Sequence, residues 1–312
     1  MNGVPAVPAC QFCGGRRRYR YRMDSYPVWQ CIRCGTGCAW PMPEPALVQR
    51  YYRGFLAATN ERRLAAFGAL REAARSVFRD MGLAPGGALR MLDVGGGGGF
   101  FSRAFEECGY GESTYVDLDP LSCAFARERL GLRRVVNGEC ADVAAREGGR
   151  FDFIYCRHVI EHLPDPAALL ESMVLCLAPR GVLAVQFPNG DSLEYLAYPA
   201  EMRGRWAAMR RGSRLSATRL LWLMLAGAML HDLDPPRHLW AVTGAGVTAW
   251  ARGRGLECRV RTADLGDPAY SPYYARSSDL AGRARDFVGQ RVLARLRGGC
   301  HCVAVLRLPR AA

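Results

Sequence analysis

The chain has 312 residues, half of them apolar and 23% charged, so we expect a packed globular protein rather than a disordered or fibrous one. This length accommodates one α/β domain of ordinary size and a small additional module. The formal net charge is +13, and all 42 basic residues are arginine. Such a surface is either simply solvated or faces an anionic partner.

The cysteines indicate a reducing compartment. The thirteen cysteines are not arranged as a small disulfide scaffold, and Cys156 and Cys302 lie inside apolar runs. The first residues lack the basic and apolar regions of a secretory signal. The longest apolar run, Leu220–Leu230, is shorter than the about 20 residues that span a bilayer. We therefore expect a cytoplasmic protein, in which Leu215–Leu230 forms a lid or core helix or, alternatively, a peripheral lipid contact.

The first predicted element is a small metal module over residues 1–43. Two Cys-x-x-Cys pairs, Cys10 with Cys13 and Cys31 with Cys34, are separated by 17 residues. Four thiolates at this spacing are typical of a tetrahedral Zn²⁺ site. Because four cysteines leave no coordination position open, the zinc is expected to be structural. Three prolines, at positions 41, 43 and 45, then interrupt the chain.

The rest of the chain predicts an α/β domain. Apolar residues recur at helical spacing over residues 46–81, so residues 44–87 are expected to form a helical linker. From residue 88 strand and helix patterns alternate, which predicts a doubly wound, parallel, seven-stranded sheet over 88–312. Residues 190–242 break this pattern and are interpreted as an insertion or lid. The predicted strands are Leu89–Val94, Ser113–Val116, Arg134–Val136, Phe151–Cys156, Val182–Phe187, Leu256–Val260 and Cys300–Leu308.

A glycine-rich turn follows the first of these strands. Asp93 and Val94 lead into five consecutive glycines, Gly95 to Gly99, and then into a predicted helix. Glycines allow a ligand to approach the backbone closely. Asp117 ends the next strand, where a carboxylate can accept hydrogen bonds from ribose hydroxyls. The dinucleotide fingerprint GxGxxG fits in no register, whereas GxGxG does, which favours a nucleoside ligand without a pyrophosphate.

Four segments together resemble the motifs of class I S-adenosylmethionine-dependent methyltransferases, in their ubiquinone-biosynthesis-like branch. These segments are Leu92–Phe100, Val116–Pro120, Phe151–Pro166 and Leu177–Val182. The resemblance implies a Rossmann-like fold and an S-adenosylmethionine cofactor. It further implies cofactor contacts from the motif that contains Asp93, from Gly95, Gly97 and Gly99, and from Asp117. Adenine would be met by the Glu139–Cys140 pair or by Asp142, and the choice between them stays open.

The N-terminal module adds a second resemblance. Four cysteines followed by Trp40–Pro43 and by Tyr51 and Tyr52 resemble a subgroup of bacterial methyltransferases with an N-terminal zinc ribbon. Members of that subgroup often occur in polysaccharide, sugar or natural-product pathways.

Two segments supply candidate residues for the acceptor side. His158 and His162 follow the fourth predicted strand, whose carboxyl end borders the ligand crevice in this topology. His158 is the first candidate for a catalytic base and His238 the second. His162 and Arg237 are candidate substrate contacts, Arg237 through bidentate bonds to an anionic group.

These observations predict methyl transfer from S-adenosylmethionine to a small molecule. The acceptor is a sugar, lipid or natural-product intermediate, with O-methylation favoured over C- or N-methylation. One alternative is an RNA methyltransferase in which the zinc module and the arginine cluster Arg16–Arg22 grip phosphates. The other is a cofactor-binding scaffold without catalysis. The sequence leaves the oligomeric state open.

Overall fold

The computed structural model describes residues 6–52, 57–213, 216, 218–219, 222–223, 230–272, 274 and 278–309. Its strands are β1 Arg17–Met23, β2 Tyr26–Cys31, β3 Gly37–Ala39, β4 Leu89–Val94, β5 Gly111–Asp117, β6 Val135–Asn137, β7 Phe151–Arg157, β8 Leu177–Pro188, β9 Trp240–Ala241, β10 Glu257–Ala263 and β11 His301–Arg307. Its α-helices are α1 Pro45–Tyr52, α2 Ala57–Ala65, α3 Phe67–Asp80, α4 Phe100–Glu107, α5 Pro120–Glu128, α6 Cys140–Glu147, α7 Pro166–Cys176, α8 Pro199–Ser213, α9 Gly244–Arg252, α10 Leu280–Phe287 and α11 Ala294–Arg297. A 3₁₀ turn, Glu194–Ala197, precedes α8, and a π-helical segment, Val288–Leu293, joins α10 to α11.

A seven-stranded sheet forms the centre of the fold, in the order β10-β11-β8-β7-β4-β5-β6. All seven predicted strands are present, with ends that differ by a few residues, and the Rossmann-like α/β prediction is confirmed. Strands β6, β5, β4, β7 and β8 are parallel neighbours. These strands are apolar along most of their length because helices cover both faces of the sheet.

The expectation of an entirely parallel sheet is wrong for β11, which is antiparallel to both β8 and β10. Ala263, the last residue of β10, pairs with His301, the first residue of β11. Residues 264–300 therefore connect the two strands at one end of the sheet without a crossover, and a strand entered in this way must run antiparallel. His301 also pairs with Pro188 at the carboxyl end of β8.

Helix starts follow the local sequence. The side chain of Asp119 accepts hydrogen bonds from two backbone N–H groups of α5, and that of Asp165 accepts one from α7. Each is followed by a proline in the first helical position, where no N–H is needed. The segment that predicted one helical linker contains three helices among its described residues, α1, α2 and α3.

A second, four-stranded sheet surrounds the cysteine module, in the order β1-β2-β3-β9. Its fourth strand comes from the end of the insertion: Gly37 and Cys38 pair with Ala241 and Trp240. Thr243, which caps α9, donates from its hydroxyl to the Cys34 carbonyl at 2.7 Å. The module therefore shares one strand and its apolar core with the larger domain, while its boundary at residue 43 stays a prediction.

The insertion is only partly described. Most of the apolar segment Leu215–Leu230 lies outside the described residues, so its interpretation as a lid or lipid contact stays a prediction. Within the part of the chain that the structure describes, no helix has the length and apolarity needed to cross a bilayer.

Candidate functional site

The glycine turn lies at the carboxyl end of β4. Gly95, Gly97, Gly98 and Gly99 all have positive φ, at 65°, 58°, 119° and 83°. A Cβ on Gly95 would lie 2.6 Å from the Val159 side chain, so both the backbone angle and the available space require glycine. The Gly95 N–H donates to the Val116 carbonyl at 2.8 Å. The turn is thus fixed to β5, with Gly97, Gly98 and Gly99 buried and Gly95 half-buried.

Asp93 supports this turn from below. Its side chain is buried and accepts hydrogen bonds from the backbone N–H and the hydroxyl of Ser102, at 3.2 and 3.0 Å. Burial raises the pKa of Asp93 to about 7, against the effect of these bonds. The structure shows Asp93 joining the strand to α4, and its predicted cofactor contact stays a prediction.

Asp117 lies beside the turn, at the end of β5. One carboxylate oxygen accepts from the Tyr115 hydroxyl at 2.8 Å and the other from the Asp119 N–H at 2.9 Å. The Tyr115 hydroxyl also accepts from the Gly98 N–H at 3.2 Å. Burial raises the pKa of Asp117. The acid and the glycine turn are therefore held in one hydrogen-bonded unit.

The three candidates for adenine lie at the start of α6. The Glu139 N–H donates to the Asp142 carboxylate at 3.0 Å, as part of a capping box. Cys140 is buried in the core between β-sheet and helices. Glu139 and Asp142 are exposed. The assignment of adenine to any of the three stays a prediction.

Two residues on α2 cover the glycine turn and were missed by the sequence analysis. A guanidinium nitrogen of Arg63 donates to the Gly97 carbonyl at 3.4 Å. Asn60 is buried, and a Cβ on Gly98 would contact its side chain at 2.9 Å. Both polar atoms of the Asn60 amide lack a hydrogen-bond partner among the described residues. Their spacing of three residues, which puts both on one helix face, was the available signal.

The acceptor side is built around His158, just beyond β7. This residue has φ of 53°, rare for a side chain other than glycine. Its Nδ1 lies 3.1 Å from a carboxylate oxygen of Glu161, and its Nε2 lies 3.5 Å from the Gln186 amide nitrogen. Gln186 is held by the Tyr155 hydroxyl and the Tyr270 carbonyl, each at 2.8 Å. Burial lowers the pKa of His158 below its ordinary value, and Arg157 lowers it further.

His162 and His238 lie beside this pair, with ring centroids 4.6 Å apart. The Nδ1 of His162 is 2.6 Å from the Tyr52 hydroxyl and 3.0 Å from the Arg237 carbonyl. The Nδ1 of His238 is 3.0 Å from the Asp232 carboxylate. The structure thus brings together three of the predicted acceptor-side histidines.

Arg237 belongs to the same loop, but carboxylates of that loop balance its positive charge. Its guanidinium lies 3.2 Å from Asp234 and 3.6 Å from Asp232. Tyr52, which the Tyr-Tyr motif had marked, reaches the Arg237 backbone rather than its side chain. A substrate contact by Arg237 stays a prediction, and these carboxylates compete for it.

The four cysteines of the module converge as predicted. The Sγ atoms of Cys10 and Cys34 are 3.6 Å apart, and those of Cys13 and Cys31 are 3.4 Å apart. All four sulfurs lie within 4.8 Å of one another. Zn–S bonds of about 2.3 Å in a tetrahedron require sulfurs about 3.8 Å apart. The cluster therefore has the dimensions of a four-thiolate metal site.

The arginine cluster Arg16–Arg22 is only partly available to a ligand. Arg17 stacks on the Trp240 ring, 5.0 Å from its centroid. Arg20 donates from Nε to the Gln30 side chain at 2.7 Å. Arg16, Arg18 and Arg22 are exposed. This arrangement does not favour the RNA alternative, because two of the five charges serve the packing of the module.

A family model described as "Methyltransferase domain" matches residues 49–259, more than half of the chain. The chain belongs to this methyltransferase family. The match spans the glycine turn, the Asp117 strand end and the histidine loop of the methyltransferase. The four cysteines precede the matched residues.

Curated relatives of this methyltransferase include ubiquinone biosynthesis O-methyltransferases. The protein from Xanthomonas axonopodis pv. citri is 31% identical over 164 residues, which cover 49% of this chain and 67% of the relative. The protein from Psychrobacter arcticus is 34% identical over 123 residues, which cover 38% of this chain and 46% of the relative. The chain thus spans about half the length of most of the relatives it matches.

Solved structures with a similar fold are more distant in sequence. The plantazolicin methyltransferase BpumL is 13% identical, with a TM-score of 0.49, and the match covers 85% of this chain and 95% of that one. The 1,6-didemethyltoxoflavin-N1-methyltransferase of Burkholderia thailandensis is 17% identical, with a TM-score of 0.48, over 89% and 98% of the two chains.

Proposed function

We propose that the chain transfers the methyl group of S-adenosylmethionine to a hydroxyl group of a small-molecule acceptor. The observation that carries this proposal is the juxtaposition of two devices at the carboxyl edge of one sheet. The glycine turn and Asp117 form a nucleoside cradle on one side. A histidine bonded to a buried glutamate, His158 with Glu161, stands on the other.

On the donor side, both backbone atoms and charged side chains would bind S-adenosylmethionine. The backbone of the turn at Gly95, Gly97 and Gly99 would meet the methionine and ribose moieties. Asp117 retains acceptor capacity for the ribose hydroxyls, because each carboxylate oxygen has two lone pairs. Arg63 brings a positive charge to the turn, where it would pair with the carboxylate of the donor.

On the acceptor side, His158 has the properties of a general base. The Glu161 carboxylate would hold a proton at Nδ1, so that Nε2 carries the lone pair. The Gln186 amide nitrogen, which lies 3.5 Å from Nε2, would give way there to the acceptor hydroxyl. A lowered pKa keeps the ring neutral at physiological pH. Nε2 would take the proton of the acceptor hydroxyl as its oxygen accepts the methyl group, and the donor would leave as S-adenosylhomocysteine with the electron pair of the C–S bond. Alignment of oxygen, carbon and sulfur supplies most of the acceleration.

The names of the relatives, ubiquinone biosynthesis O-methyltransferases, favour an oxygen acceptor over nitrogen or carbon. The acceptor is a sugar, lipid or natural-product intermediate. Cys10, Cys13, Cys31 and Cys34 would hold one Zn²⁺ with no open position, so the metal would stabilise the module and take no part in the chemistry.

Calorimetry with S-adenosylhomocysteine and NAD tests the donor site. The chain should bind the first and not the second. Asp117→Ala should weaken binding of S-adenosylhomocysteine by about 1.5–3 kcal/mol, the cost of losing a hydrogen bond to a charged group. Glu112→Gln, exposed at the other end of the same strand, is the control and should bind normally. Tight binding of NAD, or unchanged affinity in Asp117→Ala, would contradict the assignment.

Turnover separates the three functions considered. Labelled S-adenosylmethionine incubated with fractionated cell extract should label a small-molecule fraction. Label in RNA would support the RNA alternative. Binding of the donor without label in any fraction would support the scaffold.

A further inference from the structure

A cleft lies between the cysteine module and α9, apart from the donor and acceptor residues described above. Its volume is about 630 Å³, within the range of small-molecule sites. The module contributes Gln11 and Arg33, one from inside each Cys-x-x-Cys turn. The end of α9 and the turn after it contribute Trp250, Arg252 and Arg254. The described residues that line the cleft include three arginines but no aspartate or glutamate. The cleft is therefore positively charged and large enough for a small organic anion.

The three arginines differ in how far their charges are already balanced. Arg254 forms an ion pair with Glu171. A guanidinium nitrogen of Arg33 donates to the Cys13 carbonyl at 3.2 Å, which holds this side chain against the module. Neither Arg33 nor Arg252 pairs with a carboxylate among the described residues. Two guanidinium groups therefore remain for an anionic ligand, and each has parallel N–H donors that match two oxygens of a phosphate group.

Two buried polar groups of the same wall supply an independent observation. Trp250 is 1% exposed, and its indole N–H has no hydrogen-bond partner among the described residues. The Gln11 amide nitrogen donates to the Pro164 carbonyl at 3.4 Å, whereas the buried amide oxygen also has no partner in the described part of the chain. Such groups are costly when they stay unpaired. One is a donor and the other an acceptor, so a ligand with both an acceptor oxygen and a hydroxyl group would satisfy both.

We propose that this cleft binds the phosphate ester of a small hydroxylated molecule. Arg33 and Arg252 would hold the phosphate group, whose charge at neutral pH is close to the two positive charges they offer. The Trp250 indole would donate to an oxygen of the ligand, and the Gln11 amide oxygen would accept from a ligand hydroxyl. Because Gln11 and Arg33 lie inside the two cysteine turns, the module would supply half of the site.

The ester has two possible sources. It is either a separate metabolite or the phosphate group of the methyl acceptor itself. The bond between Gln11 and the Pro164 carbonyl joins the cleft to the loop that carries His162 on the acceptor side. The second source rests on the proposed methyl transfer, whereas binding of a phosphate ester in the cleft does not.

Calorimetry at constant ionic strength tests the site, on zinc-loaded protein saturated with S-adenosylhomocysteine so that the donor site is filled. The probes are glucose 1-phosphate, inorganic phosphate and glucose. Glucose 1-phosphate should bind at one site per chain, inorganic phosphate should bind more weakly, and glucose should not bind. Arg252→Gln should weaken binding of both phosphates by roughly tenfold or more, the loss expected when a hydrogen bond to a charged group is removed.

The matched control is Arg259→Gln. Arg259 is exposed on β10, outside the cleft, and has no ion pair among the described residues. This variant removes the same charge and should bind both phosphates as the wild type does. Zinc is measured for every variant, because an arginine beside the cysteines also balances the negative charge of their thiolates. If Arg252→Gln loses zinc, Arg252→Lys decides the outcome, since lysine keeps the charge but not the parallel donors.

Two results would overturn the site. One is a wild-type protein that binds neither phosphate. The other is an equal loss of affinity in the Arg252 and Arg259 variants, or none in either, which would mean that phosphate senses only the net charge of the protein. Because binding is read without turnover, these results are distinguishable from a failure of the methyl-transfer proposal.

Inorganic phosphate added to the labelling reaction separates the two sources. If the ester belongs to the acceptor, phosphate should inhibit labelling of the small-molecule fraction by the wild type, and Arg252→Gln should be less sensitive to it. If the ester is a separate metabolite, labelling should continue in the presence of phosphate although calorimetry shows it bound.

Discussion

The donor side and the acceptor side of the crevice are built by different means. The donor side is built mainly from the backbone of positive-φ glycines and from carboxylates at strand ends, all within residues 93–119. The acceptor side is a side-chain device, formed by groups from residues 52, 158–162, 186, 232–238 and 301. On the proposed function, a turn of this kind would serve any acceptor chemistry, because it would bind only the donor. The distant groups across from it are the ones that can differ with the substrate.

The printed hydrogen bonds join the cysteine module to the acceptor side. Its fourth strand, β9, begins two residues after His238, and the N–H groups of Leu239 and Trp240 donate to the Glu161 carbonyl at 2.8 and 3.2 Å. The Trp240 indole N–H donates to the Leu163 carbonyl at 2.8 Å. The cysteine module therefore holds the loop of Glu161 beside the strand that follows His238, and it should affect the acceptor side more than the donor side.

The largest expected effect comes from Cys31→Ser. Loss of one ligand should release the zinc, loosen β3 from β9 and abolish turnover, while affinity for S-adenosylhomocysteine stays close to that of the wild type. Metal analysis, calorimetry and a turnover assay check the three parts. Cys108→Ser, at the end of α4, is the matched control and should retain zinc and activity. A zinc-free variant with normal turnover would break the link between the module and the acceptor side.

His158→Ala should reduce turnover by about 10²–10⁴-fold, the usual contribution of a general base, and should leave donor affinity unchanged. The base must be neutral to accept a proton, so the rate falls as the pH drops through the pKa of His158. Burial and Arg157 lower this pKa. The acid limb of kcat/KM should therefore lie below the ordinary histidine value of about 6.5.

Replacing Arg157 by glutamine tests that cause. Without the positive charge the pKa of His158 should rise, and the acid limb should move to higher pH. Arg150→Gln, at the other end of β7 and exposed, is the control and should not move the limb. An acid limb that stays in place in Arg157→Gln would exclude His158 as the group that titrates.

On the donor side, Asp93 should make the free energy of unfolding depend on pH. The unfolded chain releases this proton near pH 3.8, whereas the folded chain keeps it until about pH 7. Between these values the folded state binds more protons, so the free energy of unfolding falls as the pH rises, by at most about 4 kcal/mol. Asp93→Asn should remove this part of the slope in denaturant titrations at pH 4 to 8. An identical slope in the variant would show that Asp93 is ionised in the folded protein.

The smallest effect is expected from the exposed arginines of the module. Replacing Arg16 and Arg18 by glutamine, together with Arg22, whose guanidinium makes exposed hydrogen bonds to the Ser25 carbonyl at 3.0 and 3.1 Å, should change stability and donor affinity by less than about 0.5 kcal/mol, as for surface positions. Turnover of a free small acceptor should be unchanged. Tight, salt-dependent RNA binding that is lost in this variant would reverse the order of the two enzyme functions.

Sequence patterns predicted the features that depend on residues close together in the chain. The seven strands, the glycine turn, Asp117 and the two Cys-x-x-Cys turns are each encoded within a few residues, by hydrophobic period or fixed spacing. The partners of His158 and His162 were harder to predict. Glu161 and Asp232 received no role from the sequence, because that of Glu161 depends on a contact with His158 and that of Asp232 on a contact with His238 across a turn. The Tyr52–His162 contact joins residues 110 positions apart.

Two features of the backbone were also beyond the sequence patterns. The strand β9 has two residues, too few for any alternation to be visible. The reversal of β11 depends on where residues 264–300 pass, which local periodicity does not encode. Asn60 and Arg63 fell within the predicted helical linker. A helical pattern alone does not show which ligand site the polar face of the helix contacts.

The position of β9 in the chain has a consequence for synthesis. The cysteines leave the ribosome before the strand that completes their sheet, which follows about two hundred residues later, after most of the central sheet. The segment β1-β2-β3 must therefore wait as an incomplete sheet, with the outer edge of β3 unpaired, during translation of the larger domain. Its final docking closes one of the longest loops in the molecule, which places this step late in folding and makes it slow relative to the local α/β units.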